Sequence, residues 1–330
     1  MFGSMLKGLA ALVAVAGTAI LGYWLMNLLR DADQAQVAAQ ASASARDEQS
    51  GAGSEEDRRP RRDPNNPYCW LSRYDSAACL AARIPTPPGY ERVEVDPDGF
   101  TCWLRHLPVK PAGSPVKLYN GQLKGNQNAH CAVIDIDVGN KDLQQCADAI
   151  IRLWAEYLYS RGRFGAIHFN FTSGETCEFV KWAEGIKPIV EGGLVSWTKP
   201  PRPLTRTSPK DLSYANFRGY LDTIFTYAGT QSLAGELRKV DVKFIRPGDV
   251  FIQGGNPGHA VIVLDMAESN KGGRRCFLLG QSFMPAQDIH VLKNPRPADQ
   301  GIAPWYDVVF GQQLATPEWK FNRADLMRFK

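Results

Sequence analysis

The chain has 330 residues, of which 44% are hydrophobic and 22% are charged, and its formal net charge is +4. This apolar content is enough to form a buried core, which excludes a wholly disordered protein. Nucleic-acid binders carry a larger and more clustered positive charge, and the sequence contains no zinc-finger, helix-turn-helix or Walker pattern. We therefore expect no nucleic-acid partner.

Residues 8–29 are almost entirely apolar, and this run is about as long as a helix that crosses a bilayer. It continues through Tyr23 and Trp24 without a small-residue cleavage site, which favours an uncleaved anchor over a signal peptide. Lys7 precedes the run and Asp31 follows it, so the positive-inside rule places the N-terminus in the cytoplasm. We expect a single-pass membrane protein whose body is extracytoplasmic.

The composition divides the chain into three parts. Residues 1–30 are the predicted anchor or signal, residues 31–66 are a disordered linker of small, polar and charged residues, and residues 67–330 form a single globular domain. Seven cysteines leave at least one without a partner inside the chain, and Cys69 and Cys79 are candidates for a structural bridge.

The first predicted elements of the domain surround a cysteine. Residues 100–107 and 130–138 are predicted strands, and a helix follows the second one. Asp142 is the expected N-cap, with Gln145 as its capping-box partner three residues later. This start places Cys146 in the first turns of the helix, on the face that turns inward.

Further elements follow in the middle of the domain. Residues 167–171 are a predicted strand and residues 216–227 a predicted amphipathic helix. Residues 185–209 contain five prolines and are predicted to form a long loop or lid.

A histidine opens a buried strand in the last third of the chain. Residues 250–252 are a short predicted strand, and the turn-forming residues 254–258 return the chain into a β-branched run that begins at His259. Residues 276–283 are the next predicted strand. In a symmetric hairpin Gln281 falls opposite His259 or within a few residues of it.

These positions suggest nucleophilic catalysis. A thiolate is stabilised at a helix N-terminus, so Cys146 is the candidate nucleophile. His259 would serve as acid and base, and Gln281 would fix its tautomer. Gln144 or Gln145, with nearby backbone amides, would donate to an oxyanion. Each residue also has a simpler interpretation, in which Cys146 is a small buried apolar side chain and His259 a structural histidine.

The order of these residues in the chain resembles that in a known group of enzymes. The similarity is carried, in chain order, by Gln145 and Cys146; Pro247, Gly248 and Asp249; Gly258 and His259; and Gln281. This order resembles the CHAP and NlpC-type cysteine amidases and peptidases, papain-like enzymes of bacterial cell walls. The resemblance implies an α+β papain-like fold with insertions, in which an antiparallel sheet packs against a cysteine-bearing helix. It also implies a cell-wall peptide or glycopeptide as substrate.

A closer resemblance extends over residues 85–329. It is carried by residues 143–159 (LQQCADAIIRLWAEYLY), 169–174 (FNFTSG), 227–230 (YAGT), 247–265, 278–292 (LLGQSFMPAQDIHVL) and 316–319 (TPEW). These motifs are similar to a family of bacterial envelope proteins known only as a domain of unknown function. That resemblance implies no particular activity.

Two other kinds of site carry less weight. His130, Asp135, Asp137 and His168 have no recognised metal-ligand spacing, and strand alternation puts His130 on the face opposite both aspartates. We therefore expect no metal and no cofactor. Tryptophan and tyrosine side chains suit either core packing or a sugar-stacking groove, at Trp154, Tyr157, Trp182, Trp197, Trp305 and Trp319.

The leading hypothesis is a cysteine hydrolase tethered to the bacterial inner membrane through residues 8–29, with its globular domain in the periplasm. Cys146 would attack an amide bond, possibly in peptidoglycan, while His259 acts as acid and base, Gln281 orients it and Gln145 assists the oxyanion. The alternative is a non-catalytic envelope module that keeps a papain-like shell to bind a peptide, glycan or protein.

Overall fold

A large antiparallel sheet organises the part of the chain that the structure describes. The computed structural model describes residues 63, 65–199, 210–296 and 301–330. The sheet has nine strands: β1 (Tyr90–Arg92), β2 (His130–Val133), β7 (Arg238–Lys239), β8 (Val250–Gln253), β9 (His259–Ser269), β10 (Arg275–Gln281), β11 (His290–Leu292), β12 (Tyr306–Asp307) and β15 (Leu326–Arg328). Its main path runs β2-β11-β10-β9-β8-β15-β7, with β1 paired to β9 and β12 paired to β10.

Three small hairpins and six α-helices accompany this sheet within the described residues. The hairpin strands are β3 (His168–Asn170) with β4 (Thr176–Glu178), β5 (Pro188–Glu191) with β6 (Leu194–Trp197), and β13 (Gln313–Ala315) with β14 (Lys320–Asn322). The helices are α1 (Leu80–Arg83), α2 (Phe100–Arg105), α3 (Cys146–Ser160), α4 (Phe179–Ala183), α5 (Tyr214–Tyr227) and α6 (Thr230–Glu236). The predicted α+β class with a large antiparallel sheet is confirmed.

Strand β9 is buried on both faces over most of its length, which explains its apolar run from Ala260 to Leu264. Ile262 and Leu264 belong to the core that the helices cover, together with the apolar side of α3. Val261 and Val263 belong to a second core, which the C-terminal segment around Phe321 completes. Because side chains alternate along a strand, one segment of sequence supplies both layers.

The N-terminal half of helix α3 is fixed by a buried cation. Arg152 is 0% exposed, and its guanidinium donates to Asp137 Oδ1 at 2.9 Å and to Gln144 Oε1 at 2.7 Å. Its Nε donates to Glu156 Oε1 at 3.2 Å, and the same oxygen accepts from the hydroxyl of Tyr214 at 2.7 Å. These bonds join the segment after β2, the residues before α3, the helix itself and the start of α5.

Some local predictions were wrong. Within the predicted strand 100–107, Phe100–Arg105 form helix α2, because the buried Trp103, Leu104 and Leu107 follow a helical spacing. The predicted strand 130–138 ends at Val133. The predicted loop 185–209 contains the hairpin of β5 and β6, and its residues 200–209 lie outside the described residues.

The predicted helix cap was also wrong. Asp142 accepts from the Ala286 N–H at 2.7 Å and from Gln145 Nε2 at 3.1 Å, so it ties two loops together. The helix begins four residues later, at Cys146, with Gln145 as N-cap. There Asp148 Oδ2 accepts from the Gln145 N–H at 3.1 Å, which makes Asp148 the capping partner.

Two further predictions concern the N-terminal region and the cysteines. The predicted anchor at residues 8–29 and nearly all of the predicted linker lie outside the described residues. Among the helices that are described, none has the length and apolar character that a membrane span requires. Cys79 carries a free thiol, so the candidate bridge between Cys69 and Cys79 is not formed.

We expect Arg152→Met to lower the free energy of unfolding by about 3–5 kcal/mol, because it leaves the buried Glu156 without its cation. Lys141→Met is the matched control, since Lys141 pairs with Asp222 on the exposed surface and its loss should cost less than about 1 kcal/mol. Urea denaturation followed by circular dichroism measures both. Equal losses in the two variants would contradict the role given to Arg152.

Candidate active site

Cys146 lies at a cleft beside the end of the sheet. It is the first residue of α3, is 7% exposed and lines a cavity of about 470 Å³. The chain leaves strand β10 at this point, and the Ser282 hydroxyl lies between two carbonyl oxygens, that of Gln144 at 3.1 Å and that of Gln287 at 2.8 Å. The start of α3 is therefore held against the place where β9 and β10 separate.

The sulfur of Cys146 faces backbone amides from two elements. The N–H of Ala147 in α3 and the N–H of Ala260 in β9 both interact with it and favour the thiolate. Burial has the larger effect and, with the nearby Asp148 carboxyl group, raises the pKa of the Cys146 thiol to about 11. The resting side chain is therefore a neutral thiol at pH 7.

Asp148 is the second titratable group at this cleft. Its Oδ1 is buried and has no hydrogen-bond partner among the described residues. Burial raises the pKa of Asp148 well above its usual value. The carboxyl group next to the thiol therefore holds its proton more strongly than an exposed aspartate does.

His259 and Gln281 form a buried hydrogen-bonded pair. The register places Gly280 opposite Ile262, so Gln281 and His259 are diagonal neighbours on one face of the sheet. His259 Nε2 lies 2.9 Å from Gln281 Oε1. Because an amide oxygen only accepts, Nε2 carries the proton in this arrangement and Nδ1 is the basic nitrogen. No described residue forms a hydrogen bond with that Nδ1.

Aromatic rings enclose the imidazole. His259 is 2% exposed, and its ring centre lies 4.7 Å from that of Phe283 and 5.2 Å from that of Trp319. Burial lowers the pKa of His259 to about 4, although the hydrogen bond to Gln281 and the carboxylate of Glu318 oppose this effect. The imidazole is therefore neutral at pH 7.

Sequence reasoning missed the residues that hold Gln281. Gln281 Nε2 donates to Glu318 Oε2 at 2.8 Å, and Glu318 Oε1 pairs with Lys124 Nζ at 2.8 Å. Since the amide nitrogen is bound to the carboxylate, the amide oxygen is directed at His259. Glu318 belongs to the motif TPEW, which was noted only for its family resemblance, while nothing in the sequence pattern singles out Lys124.

The structure brings only some of the predicted site residues together. His259 and Gln281 are in contact, and Cys146 meets the backbone of Ala260, which directly follows His259. No hydrogen bond joins the Cys146 sulfur to His259 in the described part of the chain. The imidazole packs against Trp319 and Phe321 on the face of the sheet opposite to α3, and it is not among the residues that line the cleft. Gln145 lines the cleft with its amide bound to Asp142, whereas Gln144 points away to Arg152. Gln145 is thus the better placed of the two glutamines.

The described residues provide no set of ligands for a metal ion. No group of three or more histidine, cysteine, aspartate or glutamate side chains within residues 63, 65–199, 210–296 and 301–330 could hold a metal ion. Asp137 instead pairs with Arg152 and Arg218. His130 Nε2 bonds to the Ser114 carbonyl oxygen at 3.1 Å.

Comparison with known proteins places the chain in one family. A family model described as Domain of unknown function (4846) matches residues 80–328. The chain belongs to the DUF4846 family. No curated protein and no solved structure matches it. The DUF4846 match includes Cys146, His259, Gln281, Glu318 and Lys124, so the whole constellation lies inside the family domain.

Gly258 allows the chain to turn into β9 within this DUF4846 domain. A Cβ at this position would lie 2.4 Å from Thr230 Oγ1 and 2.5 Å from the Gly255 carbonyl oxygen, which is closer than atoms can approach. Any larger residue would have to displace Thr230 or the backbone of the turn before Gly258.

We expect Gly258→Ala to lower the free energy of unfolding by about 1–3 kcal/mol, because the added methyl group meets backbone atoms that cannot move aside. Gly235→Ala in α6 is the matched control, since an added Cβ there meets no atom within 4 Å. That change should be neutral or raise stability by up to about 1 kcal/mol. Thermal unfolding of both variants tests this, and an unchanged Gly258→Ala protein would refute it.

Proposed function

We propose that this protein is a cysteine amidase or peptidase with a papain-like site, in which Cys146 is the nucleophile and His259 the acid and base. One observation carries the proposal. Gln281 holds His259 Nε2, which leaves Nδ1 as the basic nitrogen, and the next residue along the strand presents its N–H to the sulfur of Cys146.

The proposed reaction begins from neutral groups. As the sulfur attacks the amide carbon, its proton would pass around the start of β9 to His259 Nδ1, and the carbonyl oxygen gains the negative charge. The N–H groups at the start of α3 and the amide of Gln145 would donate to that oxygen. The imidazolium then protonates the leaving amine, which departs and leaves a thioester. Water, deprotonated by His259, cleaves the thioester and restores the thiol.

The buried charges behind His259 support this role. The reaction places a positive charge on an imidazole that burial otherwise keeps neutral, and the Glu318 carboxylate raises the pKa of His259. Glu318 therefore stabilises the imidazolium through Gln281 during the reaction. Lys124 has the opposite effect, because its charge lowers the pKa of His259.

The cleft suits a short peptide or glycopeptide. Its volume of about 470 Å³ is that of a small-molecule site, and it is lined by polar residues such as Thr230 and Gln231 together with Phe225 and Met284. An anchor at residues 8–29 would hold this site in the periplasm of a bacterium, next to peptidoglycan. We propose a cell-wall peptide as the substrate.

One observation favours the second candidate, a non-catalytic envelope module that binds a peptide, glycan or protein partner. A preformed thiolate–imidazolium pair is the usual sign of an activated cysteine, whereas burial here keeps both the thiol and the imidazole uncharged. A binding module needs the cleft and its polar rim, but no proton transfer.

The charge state of Cys146 is measurable. With a thiol pKa of about 11, the thiolate fraction rises about tenfold for each pH unit between 7 and 10. We expect the rate of Cys146 alkylation by iodoacetamide, followed by peptide mass spectrometry, to rise in the same proportion. A rate that is already constant from pH 6 to 9 would show that the thiolate is preformed and would contradict the neutral pair.

Hydrolysis itself is tested with the full chain and a muropeptide digest of peptidoglycan, with new amino groups identified by mass spectrometry. We expect the unmodified protein to cleave the muropeptides. The rate of cleavage should fall at least about 1,000-fold in Cys146→Ala and in His259→Ala. Cys131→Ala is the control for removal of a thiol, since Cys131 is exposed and lies on β2 outside the cleft.

Two results would overturn the proposal. Cleavage that survives in Cys146→Ala would exclude the thiol as nucleophile. Binding of muropeptides without cleavage by the unmodified protein would establish the binding module instead.

A further inference from the structure

A second cleft, distinct from the thiol site, gathers arginine side chains. Its volume is about 410 Å³, and Arg163, Arg238, Arg246 and Arg328 all line it. The side chains of Arg163, Arg238 and Arg246 form no hydrogen bond or ion pair with any described residue. Exposed arginines often lack partners, but three such side chains around one cleft are an unusual concentration of positive charge.

The acidic residues of this cleft do not neutralise it. Asp249 is fully buried, and its carboxylate is already held by Arg328, whose Nη2 donates to Asp249 Oδ2 at 2.8 Å. Asp96 is the other acidic residue of the lining. Burial lowers the pKa of Arg246, and the nearby charges of Arg328 and Arg238 lower it further, while the Asp249 carboxylate opposes them. These charges therefore lie close together, and a bound anion would reduce the repulsion among the arginines.

The floor of the cleft is aromatic. Trp154 and Phe329 stack with ring centres 4.7 Å apart and an angle of 15° between their planes. Phe100 meets Trp154 edge to face at 4.9 Å. These three rings are only half-buried, so they offer an apolar surface to the cleft.

The cleft lies at the opposite end of α3 and β8 from the thiol. Trp154 follows Cys146 by eight residues, which corresponds to about 12 Å along a helix. Arg246 precedes β8, while His259 follows the turn at its other end. A ligand in this cleft is therefore separate from the proposed substrate of Cys146, and the inference does not depend on that proposal.

We propose that this cleft binds a small ligand that carries a phosphate group attached to a sugar or an aromatic ring. Guanidinium groups donate paired hydrogen bonds to phosphate oxygens, and several of them together can hold a dianion. The aromatic floor would stack the ring. A recessed cavity of about 410 Å³ has the size of a small-molecule site.

The test is calorimetric titration of the full chain at low salt with glucose 1-phosphate, ADP, inorganic phosphate and uncharged glucose. We expect the two ring-bearing phosphates to bind more tightly than inorganic phosphate, and glucose not to bind. In Arg238→Gln/Arg246→Gln, the affinity for the ring-bearing phosphates should fall by at least about tenfold. Vesicles of phosphatidylglycerol serve as a separate arm, which tests a lipid headgroup as the source of the phosphate.

The control is Arg83→Gln/Lys271→Gln, which removes the same charge from exposed positions outside the cleft. Both double variants should unfold at the temperature of the unmodified protein, because none of the four side chains forms an ion pair with a described residue. Equal affinity in the two double variants would overturn the proposal, as would an absence of binding by every soluble phosphate. Binding to the vesicles alone would replace the small ligand with a membrane surface.

Discussion

The buried guanidinium of Arg152 is the constraint on which the geometry of the thiol site depends. A cation with no exposure must have all its charge and hydrogen bonds satisfied inside the protein, and Asp137, Gln144 and Glu156 provide this. These partners come from three parts of the chain. Because Gln144 is held in this way, the start of α3 has one position, and Cys146 is directed to the end of β9 and β10.

Four strands of the large sheet could be predicted because their sequence signals are local. The strands at His259 and before Gln281 are apolar runs bounded by turn residues, and the helix Tyr214–Tyr227 follows a helical pattern. The pairing of His259 with Gln281 follows from one hairpin, since two strands and a short turn fix the register. The helix Phe100–Arg105 was mistaken because its aromatic and apolar residues favour strands, whereas their spacing is helical.

The support behind His259 could not be predicted, because its members are far apart in the sequence. Lys124 and Glu318 are separated by almost two hundred residues and meet only after the C-terminal segment covers the sheet. A single charged residue in a polar stretch gives no periodic signal. The same holds for the arginine cleft, whose arginines come from the turn after α3, strand β7, the turn before β8 and strand β15.

The two sites differ in the charge of their side chains, and this difference bears on their chemistry. At one end of α3, burial keeps Cys146 and His259 neutral, so any charge there must arise during a reaction and be stabilised by Glu318 and the helix start. At the other end, Arg238 and Arg246 remain exposed and permanently charged, with no proton to exchange near neutral pH.

A dry, neutral site suits proton transfer, because a neutral imidazole can accept a proton that a charged one cannot. A charged, open site suits the binding of an anion, since its affinity needs no change of protonation. The fold thus places a candidate site for chemistry at the start of α3 and a candidate site for recognition beyond its middle, and the two have different physical requirements.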